Sequence, residues 1–398
     1  MHFFLDKERA VIQDITRFSF PTIVVFGPGA IQQLPECLSE AGIKKPLLVT
    51  DPGLKQTEAY SKVTKALKGA NIEFGVFAGV HPNPLDEDVE NSAKIYQSEG
   101  CDGVIGLGGG SALDTAKVVA VRAKHEQPLS DFEAQAGGYK LITNQLPPII
   151  AIPTTAGTGS EVGRGAVITV PSLGRKVLIF SPMLMPTRTI VDPELTVSLP
   201  PFLTAATGMD AFTHNLESLT APIFHPICDA IAVGGIELVW KYLERAVTDG
   251  TDIEARGNMM IAAMMGAIAF QKDLGATHSL AHPLSSEFNL HHGLANAVCL
   301  PAVMRFNRDA ALEQYTRVAS IMGIDVRDMS QTEAADKAAE ETAALNKRIG
   351  LPSQLRDCKV PEDALPGLSK KAFEDSCHLT NPRTCTQEDL LRLYQESW

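Results

Sequence analysis

The 398-residue chain has no concentrated run of lysine or arginine, and its 35 basic side chains are outnumbered by 47 acidic ones, for a formal net charge of −12. Gripping nucleic-acid phosphates or an anionic membrane surface needs clustered positive charge, so a small molecule is the default ligand. No apolar run approaches the roughly 20 residues that a membrane span requires. The opening stretch MHFFLDKERAVIQDITRF breaks its apolar character at Asp6, Lys7, Glu8 and Arg9, which is not the pattern of a secretory leader, and a cytoplasmic protein is expected. Cys-x-x-Cys pairs are also missing. The seven cysteines, Cys37, Cys101, Cys228, Cys299, Cys358, Cys377 and Cys385, are scattered and odd in number, offering neither a disulfide framework nor a thiolate zinc site. They are expected to pack as small apolar residues. No internal repeat, low-complexity tract or heptad array is present.

The length and the 44% apolar content suffice for more than one core, and two domains are expected. Up to about residue 155, short β-branched runs alternate with helical patterns, the signature of βα units feeding a mostly parallel sheet. The strand candidates are TIVVFG, PLLVTD, EFGVFAG, DGVIGLG and PIIAIPTT. Each ends in Gly, Asp or Thr at a turn or helix start, which puts those residues on the carboxyl edge of the sheet, where open α/β folds bind ligands. From about Leu203 onward the apolar spacing becomes three and four, and a helical domain is expected. Met259, Met260, Met264 and Met265 at that spacing read as core filler. Between the two patterns, the proline-rich LMPTRTIVDPELTVSLPP reads as a connecting segment, giving domains over 1–200 and 201–398.

Two clusters carry chemistry. Gly106-Leu107-Gly108-Gly109-Gly110-Ser111 follows a strand and precedes the helical pattern ALDTAKVVAVRA. Glycines there let backbone N–H groups approach a pyrophosphate at a helix N-terminus, although a tight turn would need glycine as well. Asp51, closing PLLVTD, suits ribose hydroxyls and disfavours a 2′-phosphate, which points to NAD over NADP; an Asp capping a turn before Pro52-Gly53 is the alternative. The loop Thr154-Thr155-Ala156-Gly157-Thr158-Gly159-Ser160-Glu161-Val162 adds short donors and acceptors after another strand.

In the helical half, Asp210 and His214 share a helix face at a spacing of four, and His278 and His282 repeat that spacing, followed by His291-His292. One carboxylate with several imidazoles and no thiolate suits Fe²⁺, Zn²⁺ or a similar divalent ion in a catalytic role. Local chemistry does not choose between His291 and His292.

Together the segments GLGGGSALDTAK, IPTTAGTGSEV, GMDAFTHNLES and HSLAHPLSSEFNLHHGLANAVCLP resemble the iron-containing (group III) alcohol dehydrogenases, and the likeness runs from FGPGAIQQL to NPRTCTQEDLLRLY. The resemblance implies a dehydroquinate synthase-like fold, with an α/β dinucleotide-binding domain and an all-helical carboxyl domain. It implies that Asp210, His214, His278 and His292 hold the metal, His292 because it directly precedes a glycine, here Gly293. It likewise implies that His282 lies near the substrate and helps relay a proton. Cofactor contacts are implied for Gly108, Gly109, Gly110 and Ser111 on the pyrophosphate, with Asp51, Thr154, Thr155, Ser160, Val162 and Lys176 lining the remainder.

The expected activity is hydride transfer between NAD and a small primary alcohol or its aldehyde, with Fe²⁺ as the ion and Zn²⁺ or another divalent ion as the alternative. A homodimer or larger homo-oligomer is implied by the resemblance, with neither nucleic acid nor membrane as a partner. The competing readings are an NAD-using metal-dependent lyase of the dehydroquinate synthase type, a dehydrogenase of a hydroxy acid or other anionic alcohol, a metal-dependent hydrolase and a non-catalytic nucleotide-binding scaffold. For an anionic alcohol, Arg164 is the candidate partner of the substrate's charge; a surface or interface arginine is the alternative.

Overall fold

The computed structural model describes residues 22–143 and 145–398. The stretch 1–18, on which the expectation of no leader rests, lies outside them. All five expected strands form: β1 (Ile23–Phe26), β2 (Pro46–Val49), β3 (Gly75–Phe77), β4 (Gly103–Gly108) and β5 (Ile149–Pro153). Three more were not expected. β6 (Gly165–Val170) and β7 (Arg175–Phe180) form an antiparallel hairpin, and β8 (Arg188–Val191) joins the main sheet. The proline-rich segment read as a connector therefore contributes a strand. Pro186 and Pro193 flank β8 and leave its four residues free to pair, so proline marks the ends of the strand and does not forbid it.

The six-stranded sheet is parallel throughout, in the order β1-β8-β5-β4-β2-β3. Neighbouring residues along its strands enter opposite cores. Leu47, Val104 and Ile149 pack on one face, and Leu48, Ile105 and Ile150 on the other. A sheet buried on both sides needs apolar residues at every position, which is why its strands read as unbroken hydrophobic runs. The covering helices of the repeating units are α1 (Leu34–Glu40), α2 (Glu58–Gly69), α3 (Asp86–Ser98) and α4 (Gly110–Arg122).

The order places the chain's reversal between β2 and β4. From β2 the connection leads outward to β3 at one edge, whereas β4 is followed by β5 and then β8 on the other side. In open parallel sheets this is where a crevice opens beyond the carboxyl ends of the strands. Asp51 follows the end of β2, and the Gly108–Gly110 turn links β4 to α4.

From residue 201 the chain is helical: α5 (Pro201–Thr220), α6 (Pro226–Thr248), α7 (Ile253–Ala269), α8 (Ala276–Phe288), α9 (His292–Asn307), α10 (Leu312–Ile321), α11 (Gln331–Arg348), α12 (Leu365–Glu374) and α13 (Gln387–Ser397). Two compact units result, one from 22–211 with Leu238–Ile268, the other from Phe212–Glu237 with Ala269–Trp398. In the second unit, α9 carries Pro301 in its interior. Proline has no N–H to give the carbonyl four residues back, that of Ala297. Asn346 of α11 supplies the missing donor, its Nδ2 lying 2.6 Å from the Ala297 oxygen. α11 begins with a capping box in which Ser330 and Glu333 satisfy each other's backbone N–H groups.

Candidate active site

At the carboxyl edge of β4 the glycines are required by space. Gly108 has φ +147°, and a Cβ there would stand 2.8 Å from the Cβ of Ala112. A Cβ on Gly109 would meet Thr155 at 3.3 Å, and one on Gly110 would meet Thr158 at 2.8 Å. The turn therefore lies directly against the Thr154–Ser160 loop, and the Thr154 N–H donates to the Gly108 carbonyl at 3.0 Å. Both loops read from the sequence thus meet at one point of the sheet edge. Asp51 is beside them: one carboxylate oxygen accepts from the Leu54 N–H at 2.8 Å, and the other lies 3.6 Å from the position a Gly108 Cβ would take. The capping role and the ribose role are compatible, because the cap occupies only one oxygen.

Three of the expected cofactor residues, Ser160, Lys176 and Ser111, spend their polar atoms within the protein. The Ser160 hydroxyl donates to Asp114 at 2.6 Å and accepts from Lys117 Nζ at 2.8 Å. Lys176 Nζ donates to Asn83 at 2.9 Å, and burial holds its pKa below the usual lysine range. Ser111 donates to the Pro82 carbonyl at 2.6 Å, and Val162 is buried in the short turn Ser160–Val162.

Lys117 was not singled out in the sequence. It lies seven residues beyond Gly110 on α4, fully buried, and donates to the carbonyls of Ser160 and Gly165 at 2.7 and 2.9 Å. Burial lowers its pKa and raises that of Asp114, with the Coulombic attraction between them opposing both shifts. Glu161, also buried, is pushed up by desolvation to about 7. Arg164 places its guanidinium over the Phe180 ring, 5.4 Å from the centroid.

The second cluster starts on α5. Asp210 and His214 stand one turn apart, and their ligand atoms and one of His278 on α8 all lie within 4.8 Å of one another, all three residues being buried. Donors about 2.0–2.2 Å from a divalent ion are separated by at most about 4.4 Å, so a bound of 4.8 Å puts the three within a few tenths of an ångström of that limit, and their carboxylate–imidazole chemistry suits such an ion. His292 opens α9, and His291 precedes it as the N-cap. The Nε2 atoms of His292 and His278 each lie 3.3 Å from the same Asn296 amide nitrogen, which turns His292 toward the cluster. Phe270 packs against His214 with ring centroids 5.2 Å apart. His282 stacks on His292 at 5.3 Å.

Two carboxylates that sequence reading missed support these histidines. Glu217, three residues after His214, accepts from the N–H groups of Gly275 and Thr277 and lies 2.6 Å from His278 Nδ1. Burial would raise its pKa, but the His278 charge and these hydrogen bonds outweigh it and hold the carboxyl below the usual range. Asp375 lies 2.8 Å from His282 Nδ1 and accepts from the Ser279 hydroxyl and the Cys377 N–H, each at 2.8 Å. Desolvation is again outweighed, by His282 and these bonds, and Asp375 is held well below the usual carboxylate range. The spacing of Glu217 from His214 could have flagged it, whereas Asp375 is 93 residues from its histidine and carried no local signal.

Comparison with known proteins identifies the family. Residues 21–193 match the iron-containing alcohol dehydrogenase family model, and 204–398 match the carboxyl-terminal model of the Fe-containing alcohol dehydrogenase family. The chain is 42% identical over 378 residues to a 4-hydroxybutyrate dehydrogenase of Cupriavidus necator, covering 93% of this chain and 96% of that one. It is 38% identical to a 1,3-propanediol dehydrogenase of Klebsiella pneumoniae, over 95% of this chain and 97% of the relative. The crystal structure of a 1,3-propanediol oxidoreductase superposes with a TM-score of 0.93 at 37% identity, over 97% of this chain and 100% of the other. Among the described residues no helix is long and apolar enough to cross a membrane. The chain belongs to the iron-containing alcohol dehydrogenase family and is an NAD-dependent oxidoreductase of alcohols and aldehydes.

Proposed function

We propose that Asp210, His214, His278 and His292 hold a divalent ion, Fe²⁺ in the first instance, at which a small primary alcohol and its aldehyde are interconverted. The observation that carries this is the buried convergence of Asp210, His214 and His278, with His292 turned toward it across Asn296. When bound, the ion serves as a Lewis acid toward the substrate oxygen, and the nicotinamide takes or gives the hydride. Phe270 packs against the His214 ring on one side of the cluster. His282, held by Asp375 at Nδ1, has Nε2 as its second proton-carrying atom, suited to accept the alcohol proton or return it to the aldehyde oxygen.

NAD is assigned to the edge of β2, β4 and β5: the pyrophosphate over Gly108, Gly109, Gly110 and Ser111, the adenosine ribose at Asp51, and the remainder along Thr154, Thr155, Ser160, Val162 and Lys176. Support comes from the position of the Gly turn at the sheet's reversal point and from the α4 N-terminus behind it. On this reading 1–200 is the nucleotide-binding domain and 201–398 the metal- and substrate-binding domain. Seven free cysteines are in keeping with a reducing, cytoplasmic setting, and a homodimer or larger homo-oligomer follows the family resemblance.

A second substrate reading has its own support. The relative at 42% identity is named for 4-hydroxybutyrate, so a short hydroxy acid belongs beside the neutral alcohols. The test is anaerobic reconstitution with Fe²⁺ and NADH oxidation against propanal, 3-hydroxypropanal and 4-oxobutanoate, with a chelator-treated control. Metal-dependent turnover of at least one is expected. Full metal occupancy and tight NADH binding without turnover of any would defeat the reading.

A further inference from the structure

His278 and His282 stand one turn apart on α8 and share an arrangement. Each presents Nδ1 to a carboxylate from elsewhere in the chain: Glu217 of α5 for His278, at 2.6 Å, and Asp375, just beyond α12, for His282, at 2.8 Å. Each carboxylate is itself fixed. Glu217 accepts from two backbone N–H groups at the start of α8, Gly275 at 2.9 Å and Thr277 at 2.7 Å. Asp375 accepts from Ser279 and from the Cys377 N–H, so neither acid can swing away without abandoning other partners.

An ionised carboxylate accepts hydrogen bonds and donates none, so Nδ1 of each ring carries a proton toward its acid, and in the neutral form of the ring Nε2 is the nitrogen left as an acceptor, for His278 the atom 3.3 Å from the Asn296 amide. For His278 that nitrogen is the atom available to a metal shared with Asp210 and His214. For His282, outside that trio, it is the atom whose direction governs proton exchange with the substrate. The difference in surroundings separates the duties: His278 and Glu217 are almost wholly buried, whereas the His282 side chain is about one-third exposed at 37%.

We infer that Glu217 and Asp375 are positioning residues with divided duties, Glu217 acting on metal affinity through His278 and Asp375 on turnover through His282. The inference rests on the ligand and proton roles proposed above. A merely structural pair of anchors would alter stability and leave both readouts in place.

The test uses the full chain with Glu217→Gln and Asp375→Asn. Each change keeps the shape and adds an NH₂ group that can donate to Nδ1, admitting the wrong tautomer. Zn²⁺ affinity is measured by competition with a chromophoric chelator, and kcat and KM are measured with NADH and whichever of propanal, 3-hydroxypropanal and 4-oxobutanoate the wild type reduces fastest. Glu217→Gln is expected to weaken Zn²⁺ binding about 10- to 100-fold, the usual effect of losing an outer-shell partner, with kcat at saturating metal within about threefold of wild type. Asp375→Asn is expected to keep Zn²⁺ affinity within about threefold while kcat falls at least about tenfold and KM holds. Equal effects of both changes on affinity, or no effect of either beyond threefold, would overturn the inference.

A second measurement needs no variant. Two-bond ¹H–¹⁵N spectra of histidine-labelled, metal-free wild type should show both rings protonated at Nδ1, and an Nε2-protonated ring at either position would overturn the assignment. If the wild type binds no divalent ion and reduces none of the three aldehydes, the proposed function fails, and these spectra still decide the tautomers independently.

Discussion

Lys117 grips Ser160 twice, donating from one ammonium group to its carbonyl at 2.7 Å and its hydroxyl at 2.8 Å. With its third donor on Gly165 and the Asp114 carboxylate on the far side of the Ser160 hydroxyl, the ammonium ties α4 to both ends of the turn that follows the Thr154–Ser160 loop. Lys117→Met would strip the desolvated Asp114 of its larger Coulombic partner, leaving it Lys176 and the bonds from the Ser160 hydroxyl and the Val167 N–H. We expect a loss of about 3–5 kcal/mol in urea unfolding. Dissociation of NADH, followed by fluorescence, should weaken at least about tenfold, and unchanged NADH binding would show that the loop keeps its form without the lysine.

Glu161 makes a pH prediction with a definite sign. Burial disfavours the charged form of its carboxyl and pushes its pKa up from the ordinary 4.5 to about 7 in the fold. The folded protein therefore holds a proton that the unfolded chain has already released, and stability falls as pH rises from about 4.5 through 7. The full effect is about 3 kcal/mol on the scale of 1.36 kcal/mol per pKa unit. Glu161→Gln should remove this slope, so the variant gains on wild type between pH 5 and pH 8 in thermal unfolding; parallel curves would refute the assignment.

Asp273 adopts φ 65° and ψ −174°, a conformation almost confined to glycine. Holding a side chain there costs about 1–3 kcal/mol, and Asp273→Gly should raise the midpoint of chemical unfolding accordingly. A variant less stable than wild type would mean that the aspartate side chain makes a compensating contact.

Gly108→Ala tests the nucleotide edge. A methyl group there would stand 2.8 Å from Ala112 at a backbone angle that L-residues rarely adopt. We expect NADH binding to weaken at least about tenfold while the Zn²⁺ dissociation constant stays within about threefold; equal loss of both would point to general misfolding.

Metal removal should be visible without any substrate. An ion held by the folded protein alone stabilises it by about 2.7 kcal/mol when present at a hundred times its dissociation constant. Melting with and without Zn²⁺ should therefore differ in wild type and coincide in His214→Ala.

Much of this was legible in the sequence because it is local. The βα alternation, the glycine turn and the i, i+4 pairs Asp210/His214 and His278/His282 each fit within a window of a few residues, where periodicity and turn chemistry speak directly. The partners that complete the site are not local. Asp375 reaches His282 across 93 residues, and Lys117 meets Ser160 across 43, so only the folded chain reveals those bonds. β8 was misread for a different reason. A four-residue strand set between prolines carries too little pattern to distinguish a central strand from a linker, and its place beside β1 and β5 is decided by tertiary pairing.

The amide that Asn346 lends to the Ala297 carbonyl also has a bearing on descent. A proline at 301 is tolerable only while some other residue feeds that oxygen, and an asparagine at 346 has this use only while the proline is there. The two positions are thereby expected to vary together. Lineages that exchange Pro301 for a residue with a free N–H would release 346 to drift, whereas those that keep the proline should retain an amide or another donor opposite it.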